Sequence, residues 1–158
     1  MNSNEKLLVR DAEEVIEKEN LDAEIVWHEK RGASTSEAEQ SLGVTAADIA
    51  KTILFITKDQ KPIMVIIMGD KRVDTKKLKK IVEKKVRIAK PDEVLEHTGH
   101  PVGGVTPLGC KHIPKFIDKS VLEMKTVFSS AGTPYASLKI DVDELLKTTE
   151  GKIVDVSE

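Results

Sequence analysis

The run Gly103-Gly104-Val105-Thr106-Pro107-Leu108-Gly109 is built for close approach of backbone to a ligand. Glycine removes the Cβ and permits φ > 0; proline fixes φ and removes a donor. Main-chain N–H groups exposed in this way can hold an oxyanion or a polarised carbonyl. The same residues also make ordinary tight turns, so the loop needs a partner before it reads as a site. One candidate stands upstream, where Lys51 interrupts the apolar run Ile49-Ala50-Lys51-Thr52-Ile53-Leu54-Phe55. Lysine is rarely buried without a partner. Its charge there is either held by an anion or by function, or carried from a strand end to water on its flexible stem.

The remaining chemistry-bearing residues give weaker patterns. Cys110 directly follows the glycine loop, beside Lys111 and His112. A thiolate nucleophile needs a base or an electropositive setting, and a small buried thiol is the plainer reading taken here. His97 and His100 invite a metal, but no Cys/His/Asp set completes zinc spacing, so neither metal nor cofactor is expected. His28, beside Trp27, reads as a surface or packing residue. A nucleophile elbow, a phosphate-binding loop, a dinucleotide fingerprint and a His-Glu-x-x-His helix are all missing. The lysine-rich segment 71–85 is a solvated helix face or a surface for a phosphate backbone. It carries no interleaved aromatic residues on which bases would stack.

Composition narrows the classes. The formal net charge is −2, so no global basic field points to nucleic acid. The single cysteine, Cys110, rules out an intramolecular disulfide and suits a reducing compartment. The first residues are polar, with no apolar leader, and the longest apolar run, Ile63 to Met68, is far too short to span a bilayer. These features predict a cytoplasmic, non-membrane protein of one domain over residues 1–158. Aromatic residues make up only 3% of the chain, so its core must be aliphatic.

The elements that would position these residues follow from periodicity. Residues 4–20 place Leu8, Ala12, Val15 and Ile16 on one helical stripe, and a short strand follows at 23–27. Ser34 and Glu37 form a candidate capping box for a helix that Gly43 ends, and Thr45 caps a further turn. The β-branched runs at 49–56 and 62–68 read as a hairpin of buried strands. Asp74 caps the lysine-rich helix, and a strand follows at 86–89. Pro91 opens a helix that ends near Gly99. Further strands are expected near Phe116, at 126–128, 136–140 and 153–156, with a helix at 141–146. The alternation predicts a mixed α/β or α+β fold.

Taken together, these residues resemble the YbaK/ProX family of aminoacyl-tRNA deacylases, the prolyl-tRNA-synthetase-associated editing domain. Thr35 to Gly43 resembles the family's threonine-led helix, Ile49-Ala50-Lys51-Thr52 its lysine strand, and Gly103-Gly104-Val105-Thr106-Pro107 its glycine loop. Ile117-Asp118 and Ser130-Ala131-Gly132 resemble two later landmarks. The resemblance implies a mixed, partly barrel-like β-sheet with flanking helices. It also implies hydrolysis of the ester of a mischarged tRNA, alanyl- or cysteinyl-tRNA(Pro), with the tRNA acceptor end and prolyl-tRNA synthetase as partners. Lys51, Gly103 and Gly104 then take the catalytic positions, with Thr35, Thr52, Val105, Thr106, Pro107, Asp118, Ser130, Gly132 and Ser137 around the substrate. A non-catalytic module that binds tRNA ends or aminoacyl-adenylate-like ligands is the alternative. Where cysteine-specific members carry an acid, this chain reads Ser137, which leaves alanine or another small residue open.

Overall fold

The computed structural model describes residues 3–28 and 35–158. Ser34, half of the expected capping box, lies outside the described residues.

The expected N-terminal helix breaks into α1 (Ser3–Leu8) and α2 (Arg10–Lys18). Val9 is only 1% exposed, and the break turns it into the core. After β1 (Glu24–Trp27) comes α3 (Thr35–Leu42), which Gly43 ends at φ 69°. A 3-10 turn at Ala46–Asp48 follows, capped by Thr45 through Asp48. The two apolar runs form β2 (Ala50–Thr57) and β3 (Pro62–Met68), paired antiparallel as expected. Asp74 caps α4 (Thr75–Val82) by accepting from the Lys76 and Lys77 amides. β4 (Val86–Ile88) leads to α5 (Pro91–Thr98), with proline in its first turn and Gly99 left-handed at its end. β5 (Lys115–Asp118) and a 3-10 turn (Lys119–Glu123) follow the glycine loop. The chain closes with β6 (Thr126–Thr133), β7 (Ala136–Asp141), α6 (Val142–Thr149) and β8 (Lys152–Val154).

The strands form two sheets, one of order β4-β2-β3-β5-β8 and one of order β1-β7-β6. In the first, β5 runs parallel to both β3 and β8, and the other pairs are antiparallel, giving the mixed α/β fold. The sheets meet at a bridge between Ile49 and Phe128. Among the described residues the two sheets meet without closing into a full barrel, and the mixed α/β fold is the expected one.

Period-2 alternation gives β2 two faces. Leu54 and Ile56 pack with Met64, Val94 and Val105, whereas Phe55 packs with Val65, Ile67 and Leu78 of α4. The third cluster lies between the sheets and α2, around Ile66, Leu138, Ile140 and Leu145. All three are aliphatic apart from Phe55, as the composition requires.

A candidate ester-binding cavity

A cavity of about 300 Å³ opens along the edge of β2. Its position follows from strand pairing. β4 pairs with β2 only at Phe55, Ile56 and Thr57, so the earlier half of β2 has no β4 partner. The Leu54 carbonyl still accepts from the Ala89 amide at 3.0 Å. Antiparallel geometry repeats every second residue, so the Thr52 peptide group faces the same side, toward the cavity. The far wall is β6, and the roof is formed by α3 and the glycine loop.

Lys51, Thr52, Gly103, Val105, Ser130 and Ser137 all line this cavity. Thr35 is the first residue of α3, whose Ala38 and Leu42 contribute to the wall. Lys51 is half-buried, and burial pushes its ammonium below the ordinary lysine range. Arg72 adds to that depression, and Asp70 opposes it. The Gly103 carbonyl accepts from Ser130 Oγ at 3.1 Å. Gly103 itself is left-handed, at φ 84°.

Gly104 departs from its expected role. Its N–H donates to the Pro101 carbonyl at 2.8 Å, so the turn consumes the donor that was to hold an oxyanion. A Cβ there would sit 3.0 Å from Thr133 Cα and 3.1 Å from the Gly132 carbonyl, so glycine serves backbone packing. Gly132, expected at the substrate, also lies outside the lining. Its φ is 119°, and a Cβ would strike the Leu8 carbonyl and approach His100 Cε1 to 3.1 Å. Asp118 is fully buried and spends its carboxylate on the Ser120 and Val156 amides, at 3.0 and 2.8 Å. Thr106 Oγ1 accepts from the Leu108 amide, and Pro107 borders a separate depression near Lys115 and Glu150. These positions hold the fold around the cavity and do not line it.

Thr52 was expected at the site, whereas Ser129 escaped the sequence reading. Ser129 and Thr52 line the cavity, and their hydroxyl oxygens are buried with no hydrogen-bond partner among the described residues. A buried hydroxyl left unpaired costs stability, so both residues bear a cost at the cavity wall. The signal was faint, because Ser129 is one serine in a strand. His28, read as packing, stands with Nε2 3.3 Å from Ser137 Oγ. Only the β1–β7 register brings them together, through Trp27 opposite Ala136.

The cavity rim is pinned by charge. Arg87 of β4 makes a two-pronged pair with Glu93 of α5, at 2.7 and 2.9 Å. That pairing and the Lys90 amide hold the Glu93 carboxyl down at about 2. Ile88, Ala89 and Val94, lying between and beside these residues, line the mouth.

Cys110 stays apart, in a depression with Asp11, His97 and His112. Burial pushes its thiol up, although nearby Lys115 opposes this, so it is no ready thiolate. Among the described residues no group of three or more His, Cys, Asp or Glu is placed to hold a metal. Among the described residues the lining offers one cation, main-chain groups and hydroxyls, with no side-chain nucleophile and base in concert. Such a set can orient an already activated ester and stabilise charge on its carbonyl.

Residues 29–148 match the family model described as the aminoacyl-tRNA editing domain. The chain belongs to this family. It is 32% identical over 139 residues to the uncharacterized protein YwhH of Bacillus subtilis, covering 87% of this chain and 88% of that one. It is 27% identical over 136 residues to EbsC of Enterococcus faecalis, which bears the name of a Cys-tRNA(Pro)/Cys-tRNA(Cys) deacylase; the match covers 85% and 82% of the two chains. A crystal structure described as a trans-editing enzyme for prolyl tRNA synthetase superposes with a TM-score of 0.85 at 28% identity, covering 96% of this chain and 97% of that one. The editing-domain fold thus spans nearly the whole chain. Among the described residues no helix is long and apolar enough to cross a membrane.

Proposed function

We propose that this editing-domain protein hydrolyses the ester joining a wrongly attached small amino acid to the 3′ end of tRNA. The substrate is alanyl- or cysteinyl-tRNA(Pro), met in trans in the cytoplasm after prolyl-tRNA synthetase has released it. The observation that carries this reading is the convergence of Lys51, the Thr52 strand edge and Gly103 on one cavity of about 300 Å³. That volume is at the low end for small-molecule sites, which favours a small side chain. Ser137, in place of an acid, suits alanine as well as cysteine.

The aminoacyl ester is activated, so water can attack its carbonyl carbon without a protein nucleophile, its oxygen going to the acyl group and a proton to the ribose oxygen. The C–O bond to the ribose breaks, the amino acid leaves as its acid, and the tRNA regains its terminal hydroxyl. Lys51, while protonated, draws the negative charge of the terminal phosphate or the developing oxyanion. The Gly103 amide replaces Gly104 as the loop's donor. Thr52 and Ser129 hydroxyls orient the aminoacyl group.

A panel of alanyl-, cysteinyl-, seryl- and prolyl-tRNA(Pro) tests the reading. Alanyl- or cysteinyl-tRNA is hydrolysed above buffer, and Lys51→Ala loses on the order of 100-fold, as removal of a preorganised charge does. No hydrolysis of any substrate, or a fully active Lys51→Ala, overturns it. Tight retention of charged tRNA without turnover would instead make the protein a binding module, a reading favoured by the absence of carboxylate and imidazole from the described lining.

A further inference from the structure

The chain's charge is strongly segregated. Between Lys71 and Lys90 stand ten lysines and arginines against two acids, in a protein of net charge −2. The rest of the molecule is therefore acidic, and one segment carries the opposite field.

The fold turns that segment outward. α4 is held by Leu78, Ile81 and Val82 against Phe55 and Val65. Lys76, Lys79 and Lys80 consequently lie on its exposed face. Acids neutralise some neighbours: Lys77 pairs with Asp155 and Lys84 with Asp59. Among the described residues Lys76, Lys79, Lys80 and Lys85 have no acidic partner.

Helix stability does not explain this set. Lys79 and Lys80 gain from the C-terminal end of the dipole. Lys76 gains nothing there, and its spacing from Lys80 is a like-charge i,i+4 pair, which opposes helix formation. The apolar residues of α4 are spent on the sheet, so the face offers no wedge for a bilayer. What it offers is a row of mobile point charges, which match phosphates without reading sequence.

α4 packs on the face of β2 opposite Leu54, and the chain links it to the cavity mouth around the sheet edge. α4 runs into β4, where Ile88 lines the mouth. Lys85 is three residues from Ile88, about 10 Å along a strand.

Resting on the tRNA-editing reading above, we infer that the exposed face of α4, with Lys85, docks the phosphate backbone of the tRNA acceptor arm while the aminoacyl end occupies the cavity. The acceptor arm is thus held by charge alone, and the cavity does the discriminating.

The test compares Lys76→Gln/Lys79→Gln/Lys80→Gln with a control of equal charge change on other exposed lysines, Lys125→Gln/Lys139→Gln/Lys147→Gln. Binding of uncharged tRNA is followed by fluorescence anisotropy across a salt series. The α4 variant is expected to bind about tenfold or more weakly, with its log K against log salt slope reduced by about 2. The control changes less than twofold, and Lys85→Gln alone gives about threefold. With aminoacyl-tRNA the α4 variant raises KM and leaves kcat within twofold, while hydrolysis of aminoacyl-adenosine is unchanged. An unchanged slope, an equal loss in the control, or tighter binding of wild type to phosphatidylserine vesicles than to tRNA overturns the inference. A wild type that hydrolyses no ester defeats the editing reading instead, and the anisotropy series still judges the surface.

Discussion

The two adjacent glycines of the loop belong to two different environments. Gly103 faces the cavity, where hydroxyls on Thr52 and Ser129 stand without partners among the described residues. Gly104 faces the tip of β6, where almost every group is engaged. There His100, 2% exposed, touches the Gly132 carbonyl at 3.0 Å and the Asp11 carboxylate at 2.9 Å. Thr133 bonds Glu5, and Gly132 lies against the Leu8 backbone. The first environment carries unsatisfied polarity, and the second is held by satisfied polarity and close packing. Stability and activity should therefore separate by which glycine a residue lies near.

The sharpest break of this comparison is Gly132→Ala. Its Cβ meets backbone at a left-handed φ, where nothing flexible can yield, so a loss of about 3 kcal/mol or more is expected in urea unfolding. Lys51→Ala should do the reverse, losing about 100-fold in deacylation with an unfolding midpoint no lower than wild type, because a half-buried charge is removed. Next comes His100→Ala, which strands a buried carbonyl and should cost about 2 kcal/mol. Asp11→Ala should cost less, since Asp11 is 53% exposed at its side chain. Ser129→Ala sharpens the contrast: stability rises by up to about 1 kcal/mol on loss of an unpaired buried hydroxyl, while KM increases. The smallest effect is in the pH profile. Lys51 is protonated below its pKa, and burial lowers that pKa, so kcat/KM, corrected for spontaneous hydrolysis, should fall as pH rises through a value below that of an exposed lysine. Arg72→Gln should move that limb upward.

Much of the framework was legible because local rules decided it. Asp74, Pro91 with Gly99, and the two β-branched runs each carry their own signal, and each element formed where that signal stood. The first helix was misread as continuous because the reason for its break lies far away, in the Gly132 backbone that Leu8 must meet. Ser130-Ala131-Gly132, visible only as a family landmark, is a bulged end of β6, where pairing slips between Ser130 and Thr133. In the cavity, Lys51 and Gly103 were visible as residue types out of place. Gly104 was assigned to the site because glycine announces close approach without saying to what, and Gly132 because the family resemblance carried it there. Ser129 and the His28–Ser137 contact depend on register, which one strand's sequence does not contain.

The half of β2 that pairs with β3 but not with β4 has a colloidal meaning as well as the proposed catalytic one. Free peptide groups along a strand edge are a template on which another extended chain can add. Here α3, the glycine loop and the short β4 wall that template off, leaving a cavity of about 300 Å³. Widening it to admit bulkier esters, for instance by shortening Leu42 or Val102, would lengthen the open edge at the same time. Broader substrate range and a tendency to self-associate should then grow together, and the narrowness of the cavity serves solubility as much as selectivity.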